Sequence, residues 1–461
     1  MRTIISLVDS MWEYRADPEG KGMAEKWYEK SIPDDTLWKK CLLLQAAGLM
    51  DRAIFHHYKG EIWFWRRVII SKEMNDRYLE LVVDRAWPCC EVFLDGKSLG
   101  KQEIPRQGFR VRIPKTVVLE TPLALMIRVF GIETKLDDPV TSYFGILDSV
   151  YFLSRGHLQC IANRINISGI DSNPPSGKVK IEFGFDVATS FDVDVYAQLE
   201  LKIWKENKEI FKKLENFKAA KDSLNTVTVI AELNQPKLWS PEDPQLYDME
   251  VLISRTNQKQ DNLTAQFGIR DLSLEGSTVL VNKKPVLLKG VKYSPVYPNC
   301  GSNIPLSLIK EDFRIMKSLG FNCILMTLPP TEPILMLAGQ LGLLIVINAP
   351  LSNLVSVAQR AQPHPCAGLY AAASNEELAG LRPLIGDQPL LNLLILTDPA
   401  QIGSIGGAPS VPALILIQVP VTPGRTTHGR VPLEPETGEY HGYTIAQAQD
   451  LLKANPQSAG I

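Results

Sequence analysis

The chain has 461 residues, 45% of them hydrophobic and 22% charged, the make-up of an ordinary globular protein with room for roughly two to four domains. A formal net charge of −2 gives no electrostatic basis for a nucleic-acid or anionic-membrane partner, since both need clustered Lys and Arg. Seven cysteines without a Cys-x-x-Cys pair argue against a disulfide framework and a thiolate metal site, so reduced thiols and neither metal nor cofactor are expected.

In chain order, the start MRTIISLVDSMWEYR has one Arg before an apolar run that Asp9 ends. That run is too short for a signal-peptide core or a bilayer span, which points to the cytoplasm and to no membrane contact. From Met1 to about Gly156, short runs alternate with turn signals: Glu61 to Ile70, Tyr78 to Val83, Glu91 to Leu94 and Leu123 to Val129. Asp95-Gly96 is the strongest hairpin signal in the chain. One of Trp63 and Trp65 is expected in a sandwich core and the other on its surface, direct sugar stacking being the alternative.

From about His157 to Leu272 the alternation is cleanest. Val179, Ile181, Phe183, Phe185 and Val187 form one inward set. Val193, Val195, Ala197, Leu199, Leu201 and Ile203 form another, so two strands share one core. The lysines crowded between Lys202 and Lys221 read as a solvated hairpin or sheet edge. Pro241 and Pro244 hold an extended turn in KLWSPEDPQLYDMEVLI.

Beyond Phe267 the pattern changes. Asn282-Lys283 reads as a tight turn, and Val286 to Tyr293 as a strand buried on both faces. Ile309, Phe313, Met316 and Leu319 recur at helical spacing, with Gly320 as the stop. Apolar runs follow at Phe321 to Met326, Leu343 to Ile347, Leu369 to Ala373, Leu390 to Leu396 and Ala413 to Ile417. They alternate with helical stretches, as βα units do.

Several phrases in this order carry a resemblance: Tyr58-Lys59-Gly60 leading to Trp63, Trp65, Arg66 and Arg67; EVFLDGKSLG at Glu91 to Gly100; Phe144-Gly145-Ile146; KLWSPEDP; FGIRDL at Phe267 to Leu272; and Lys289-Gly290-Val291. Together they resemble glycoside hydrolase family 2, the family of β-galactosidase and β-glucuronidase. The resemblance implies a multidomain β plus α/β fold: a galactose-binding-like jelly-roll β-sandwich over residues 1–156, an immunoglobulin-like β-sandwich over 157–272, and a TIM (β/α) barrel over 273–461. A full barrel needs about 250 residues, whereas Pro285 to Ile461 supplies roughly 180, so an incomplete or irregular barrel of fewer than eight units is expected.

The family hydrolyses O-glycosidic bonds of β-linked sugars with two carboxyl groups about 5 to 5.5 Å apart. By resemblance the acid/base is Glu376, after Asn375 and downstream of His364-Pro365, with Asn375 and His364 on the sugar. Ser374-Asn375-Glu376-Glu377 reads equally as a capped helix start. The nucleophile position after the best-shaped late strand carries Gln418, an amide that cannot form the covalent intermediate; Glu439 in GEYHGY reads as a loop residue. Asn348 stands where the family has an acid, Ser294 where it has a His, and Leu325 and Leu328 where it has Arg and His. Between Pro333 and Pro420 only Arg360, Glu376, Glu377, Arg382, Asp387 and Asp398 are charged, so the helices there are expected to need cover, most simply from a second copy. Two functions follow: hydrolysis of a β-linked sugar through Glu376, or a non-catalytic carbohydrate-binding or assembly protein on the same architecture.

Overall fold

The structure is a computed structural model that describes residues 2–29, 37–43, 50–55, 58–74, 77–103, 108–133, 144–168, 177–275, 278–293, 305–326, 329–348, 357–358, 360–372, 390–396 and 413–417. Two β units lead into one α/β unit.

The first β unit packs a four-stranded sheet on a six-stranded one. The smaller runs Thr3–Ser6, Val150–Arg155, Tyr78–Val83, Phe109–Arg112 in spatial order; the larger runs Lys39–Cys41, Trp12–Asp17, Lys59–Ile69, Pro122–Glu133, Cys89–Leu94, Lys97–Gln102. Alternation on Lys59–Ile69 sends Ile62, Phe64 and Val68 inward, where they meet Leu81, Val83 and Phe152 of the other sheet. The expected hairpin forms, with Asp95 and Gly96 at φ 46° and 77°.

Trp63 and Trp65 depart from expectation. Two residues apart on one strand, they must share a face, and that face is turned away from the sandwich core. There Trp63 is wholly buried in a second cluster with Trp27, Phe93 and Met126. Tyr28 stacks on Phe93 with ring centroids 4.6 Å apart and Trp27 lies 5.9 Å from Trp63. Asp17 holds the covering segment in place: its carboxylate accepts from the backbone N–H of Lys21 and Gly22, both at 2.8 Å, and from Trp63 Nε1 at 3.2 Å. Burying the Trp63 ring contributes roughly 2 to 3 kcal/mol and leaves no ring face for a sugar.

The second β unit pairs the sheet Leu158–Ser168, Lys178–Thr189, Leu224–Asn234 with the sheet Lys208–Ala219, Val195–Lys205, Tyr247–Arg255, Gln258–Phe267. Both inward sets read from the sequence are buried in one core, except Val193, which lies outside the strand and is exposed. The lysine-rich Lys208–Ala219 is an edge strand, with Lys212 and Lys218 paired to Glu200 and Asp194. Arg2 ties the two β units together, forking onto the fully buried Asp261 at 3.1 Å through both Nε and Nη2.

A small sheet, Leu272–Glu275 with Thr278–Val281 and Lys284–Pro285, turns at Asn282 and Lys283 (φ 54° and 62°). The apolar run after it is less regular than its composition suggests. Val286 to Lys289 joins no ladder: Val286 N donates to Val279 O at 2.9 Å, and the Asn322 side chain accepts from Lys289 N at 2.7 Å and donates to Leu287 O at 2.8 Å.

Among the described residues six parallel strands follow: β1 (Gly290–Tyr293), β2 (Cys323–Met326), β3 (Leu344–Ile347), β4 (Leu369–Ala372), β5 (Leu390–Leu396) and β6 (Ala413–Ile417). They pair in sequence order, and Cα atoms of β1 and β6 come within 8 Å, so the sheet curls back on its first strand. Helix α1 (Leu306–Ser318) joins β1 to β2 and ends at Gly320 (φ 87°); helix α2 (Glu332–Leu341) joins β2 to β3.

The charge-poor helix α2 is covered by the chain itself. Its inner face lies on the sheet, while Trp239 of the second β unit donates Nε1 to Gly339 O at 2.8 Å. Lys317 Nζ donates to Pro241 O and Gly342 O at 2.5 and 2.7 Å. Gly342, at φ 69°, is required here, since a Cβ would stand 2.2 Å from Pro241 O.

Candidate active site at the carboxyl ends of the parallel strands

In a parallel sheet wrapped by helices, ligands sit at the carboxyl ends of the strands, here Tyr293, Met326, Ile347, Ala372, Leu396 and Ile417. Tyr293 turns toward α1, donating its hydroxyl to Asp312 Oδ2 at 2.8 Å and meeting the Phe313 ring edge-on. Residues in ladder register share a face, so Lys292, Leu325, Val346 and Leu369, paired across β1 to β4, form the row opposite the helices. Leu325, Val346 and Leu369 are buried within 1% of completely, while Lys292 is exposed.

The sequence-derived site residues fall in three places. Asn348 directly follows β3 and is half-buried, at the carboxyl end where the family motif puts it. His364 precedes β4 by five residues and is buried, its Nε2 2.9 Å from Glu332 Oε1 at the start of α2. It is engaged in the helical layer, and the described geometry does not bring it together with Asn348. Asn375 and Glu376 after β4, Gln418 after β6, and Ser294, Leu328 and Glu439 lie outside the described residues.

Sequence reading missed what holds β4. Arg270, inside FGIRDL, donates Nε to Pro365 O at 2.6 Å and Nη2 to Ala367 O, and burial pulls its guanidinium down to about 10. The Arg that follows the apolar Phe267-Gly268-Ile269 in that phrase was the available signal. Burial also pushes the Tyr370 hydroxyl and the Cys323 and Cys366 thiols up to about 12, so none is a reactive anion near neutral pH. Six described cysteines are free. Among the described residues there is no metal-ligand cluster of three or more, and no helix long and apolar enough to cross a membrane.

Residues 164–270 match the family Glycosyl hydrolases family 2, and residues 272–379 its TIM barrel domain. A β-glucuronidase of Rattus norvegicus is 21% identical over 433 residues, covering 82% of this chain and 64% of its own length. A β-galactosidase of Staphylococcus xylosus is 23% identical over 199 residues, 42% of this chain and 18% of its own. Among solved structures, a Bacteroides uniformis β-glucuronidase superposes with a TM-score of 0.72 at 16% identity, over 88% of this chain and 54% of that one. A Ruminococcus gnavus β-glucuronidase in complex with D-glucuronic acid gives 0.71 at 16%, over 86% and 73%. The chain thus spans just under two thirds of the rat protein and about half of the B. uniformis one. With two consecutive family matches, relatives over most of its length and the same fold in solved members, this chain belongs to glycoside hydrolase family 2.

Proposed function

We propose that the protein hydrolyses the O-glycosidic bond of a β-linked sugar, on a jelly-roll sandwich over 1–156, an immunoglobulin-like sandwich over 157–272 and a TIM-barrel-like domain over 273–461. The observation that carries this reading is the parallel sheet of β1 to β6, whose carboxyl ends lead in sequence to Asn348, to Asn375-Glu376 and to Gln418. Glu376 is the acid/base, protonating the leaving oxygen, and Asn375 binds the sugar beside it. Gln418 occupies the nucleophile position without a carboxylate, so the second carboxyl group comes from elsewhere in the chain. Relatives named β-glucuronidase and β-galactosidase make aryl β-glucuronides and β-galactosides the first substrates to try. Release of the aryl group by the wild type, lost in Glu376→Gln, is the expected result; no release from either class would remove the reading.

One observation favours a second reading, a non-catalytic carbohydrate-binding or assembly protein. The row Leu325, Val346, Leu369 is apolar and dry, and His364 is engaged by Glu332. Unchanged binding of a β-glucuronide or β-galactoside in Glu376→Gln, with no turnover by either protein, is the result this reading expects.

A further inference from the structure

The second β unit grips the chain just ahead of β4, and the grip is specific in direction. Arg270 donates along one guanidinium edge to Pro365 O and Ala367 O. Between them Cys366 accepts from Ile345 N of β3 at 2.7 Å through its carbonyl, and its Sγ lies 3.2 Å from Leu335 O of α2. Two glycines let the backbones approach: a Cβ on Gly268 would stand 2.7 Å from Pro365 Cβ, and one on Gly368 2.9 Å from Arg270 Nη2. Sliding β4 by one residue, about 3.3 Å, would break both guanidinium bonds and leave a half-buried cation short of acceptors.

We infer that Arg270 is a positioning residue: by fixing residues 365–368 it sets the height of β4 in the sheet, and with it the place from which the chain continues toward Asn375 and Glu376. This rests on the catalytic reading of the carboxyl ends. Only a planar fork meets two carbonyls flanking one residue, so Lys is a partial substitute. Displacing a reacting group by about 1 Å costs roughly a hundredfold in rate, and the loss falls mainly on kcat, with a smaller change in KM as Asn375 shifts along with Glu376.

The test uses the full chain carrying Arg270→Met, Arg270→Lys or, as control, Trp239→Phe, which removes the bond to Gly339 O in the same interface while keeping both Arg270 bonds. Arg270→Met is expected to lower kcat on the cleaved aryl glycoside roughly a hundredfold with KM within about threefold. Arg270→Lys should recover about tenfold of that, Trp239→Phe should lose less than about threefold, and deuterium uptake should rise in 364–372 alone. Wild-type kcat in Arg270→Met, or an equal loss in Trp239→Phe, overturns the inference. If the wild type cleaves neither substrate class, the catalytic reading fails and exchange alone decides: uptake raised only in 364–372 of Arg270→Met supports the positioning role, and unchanged uptake overturns it.

Discussion

The outer and inner sides of the α/β unit treat buried polar chemistry in opposite ways. Toward the second β unit, Trp239, Lys317, Arg270 and Gln362 all reach main-chain groups across the seam. On the inner side, the row from Leu325 to Leu369 presents nothing but hydrocarbon. Main-chain acceptors exist whatever the side chains are, so a docking seam built on them survives extensive sequence change. A sugar site depends on particular side chains at the carboxyl ends, where the described inward row is apolar from Leu325 to Leu369 and Asn348 is a polar side chain directly after β3. The scaffold is therefore held by its least substitutable partners.

The largest expected effect tests the dry inner row. Leu325→Arg places an unpaired cation where exposure is 1%, and should cost on the order of 4 kcal/mol, whereas Leu325→Met should cost under about 1.5. Chemical denaturation of both variants checks this; a similar small loss in each would mean that the row is wet and that the contrast with the seam is false. Next comes the seam itself. Trp239→Ala removes a wholly buried ring and leaves Gly339 O without its donor, for a loss of about 3 to 5 kcal/mol. A loss below about 1 kcal/mol would show that the seam carries little of the unit's stability.

Much of this scaffold was legible because its strands alternate or run apolar over lengths that match their burial. Tyr78–Val83, Leu390–Leu396 and Ala413–Ile417 begin and end where the sequence puts them. What the sequence hid is long-range. Arg270 finds its acceptors 95 and 97 residues ahead, and no local pattern announces a guanidinium that serves another element's main chain. The segment carrying Trp27 and Tyr28 covers the outer face of a sheet that two layers alone would leave wet, so Trp63 and Trp65 were read against the wrong neighbours. Val286 to Leu288 is apolar without being a strand, and the Asn322 side chain takes the Leu287 carbonyl and the Lys289 N–H that a ladder would use. Of the candidate site, the sequence offered Asn348 and His364 within the described residues; Asn348 stands at a strand's carboxyl end, and the Glu332 partner of His364 was hidden because it belongs to another turn of chain.

A carboxylate of the first β unit sharpens the contrast through pH. Asp84 accepts from Tyr151 OH at 3.3 Å, and is raised to about 6 chiefly by burial and then by Asp148, with Arg110 of the same β unit, the Tyr151 hydrogen bond and Arg360 opposing. Because the folded value lies above the unfolded 3.8, the folded state prefers the protonated acid. Asp84's contribution is most favourable below about pH 4 and is lost as pH rises through about 6. Asp84→Asn keeps the acceptor and removes the charge. Its stability relative to wild type should be near zero at pH 4 and about 1 to 2 kcal/mol in the variant's favour at pH 7.5, after discounting for partial exposure. A difference that does not change with pH would mean that the groups around Asp84 compensate its charge in full.

The smallest effect concerns Gln362, whose amide accepts from Ile165 N at 3.0 Å and donates to Ile165 O at 2.6 Å. It thereby imitates one residue of a neighbouring strand on the edge strand Leu158–Ser168. In Gln362→Leu both backbone groups return partly to water, so the stability loss should be only about 1 kcal/mol. The consequence for association is larger than that energy suggests, because an uncapped edge offers ladder groups to another chain. Light scattering across a concentration series should therefore show greater self-association in Gln362→Leu than in wild type. Glu is the informative companion: it can accept from Ile165 N but cannot donate when ionised, so Gln362→Glu should lose a similar amount of stability while its charge suppresses pairing. Equal association in the two variants would mean that the edge is guarded by something other than this amide, and that the seam's main-chain contacts serve docking alone.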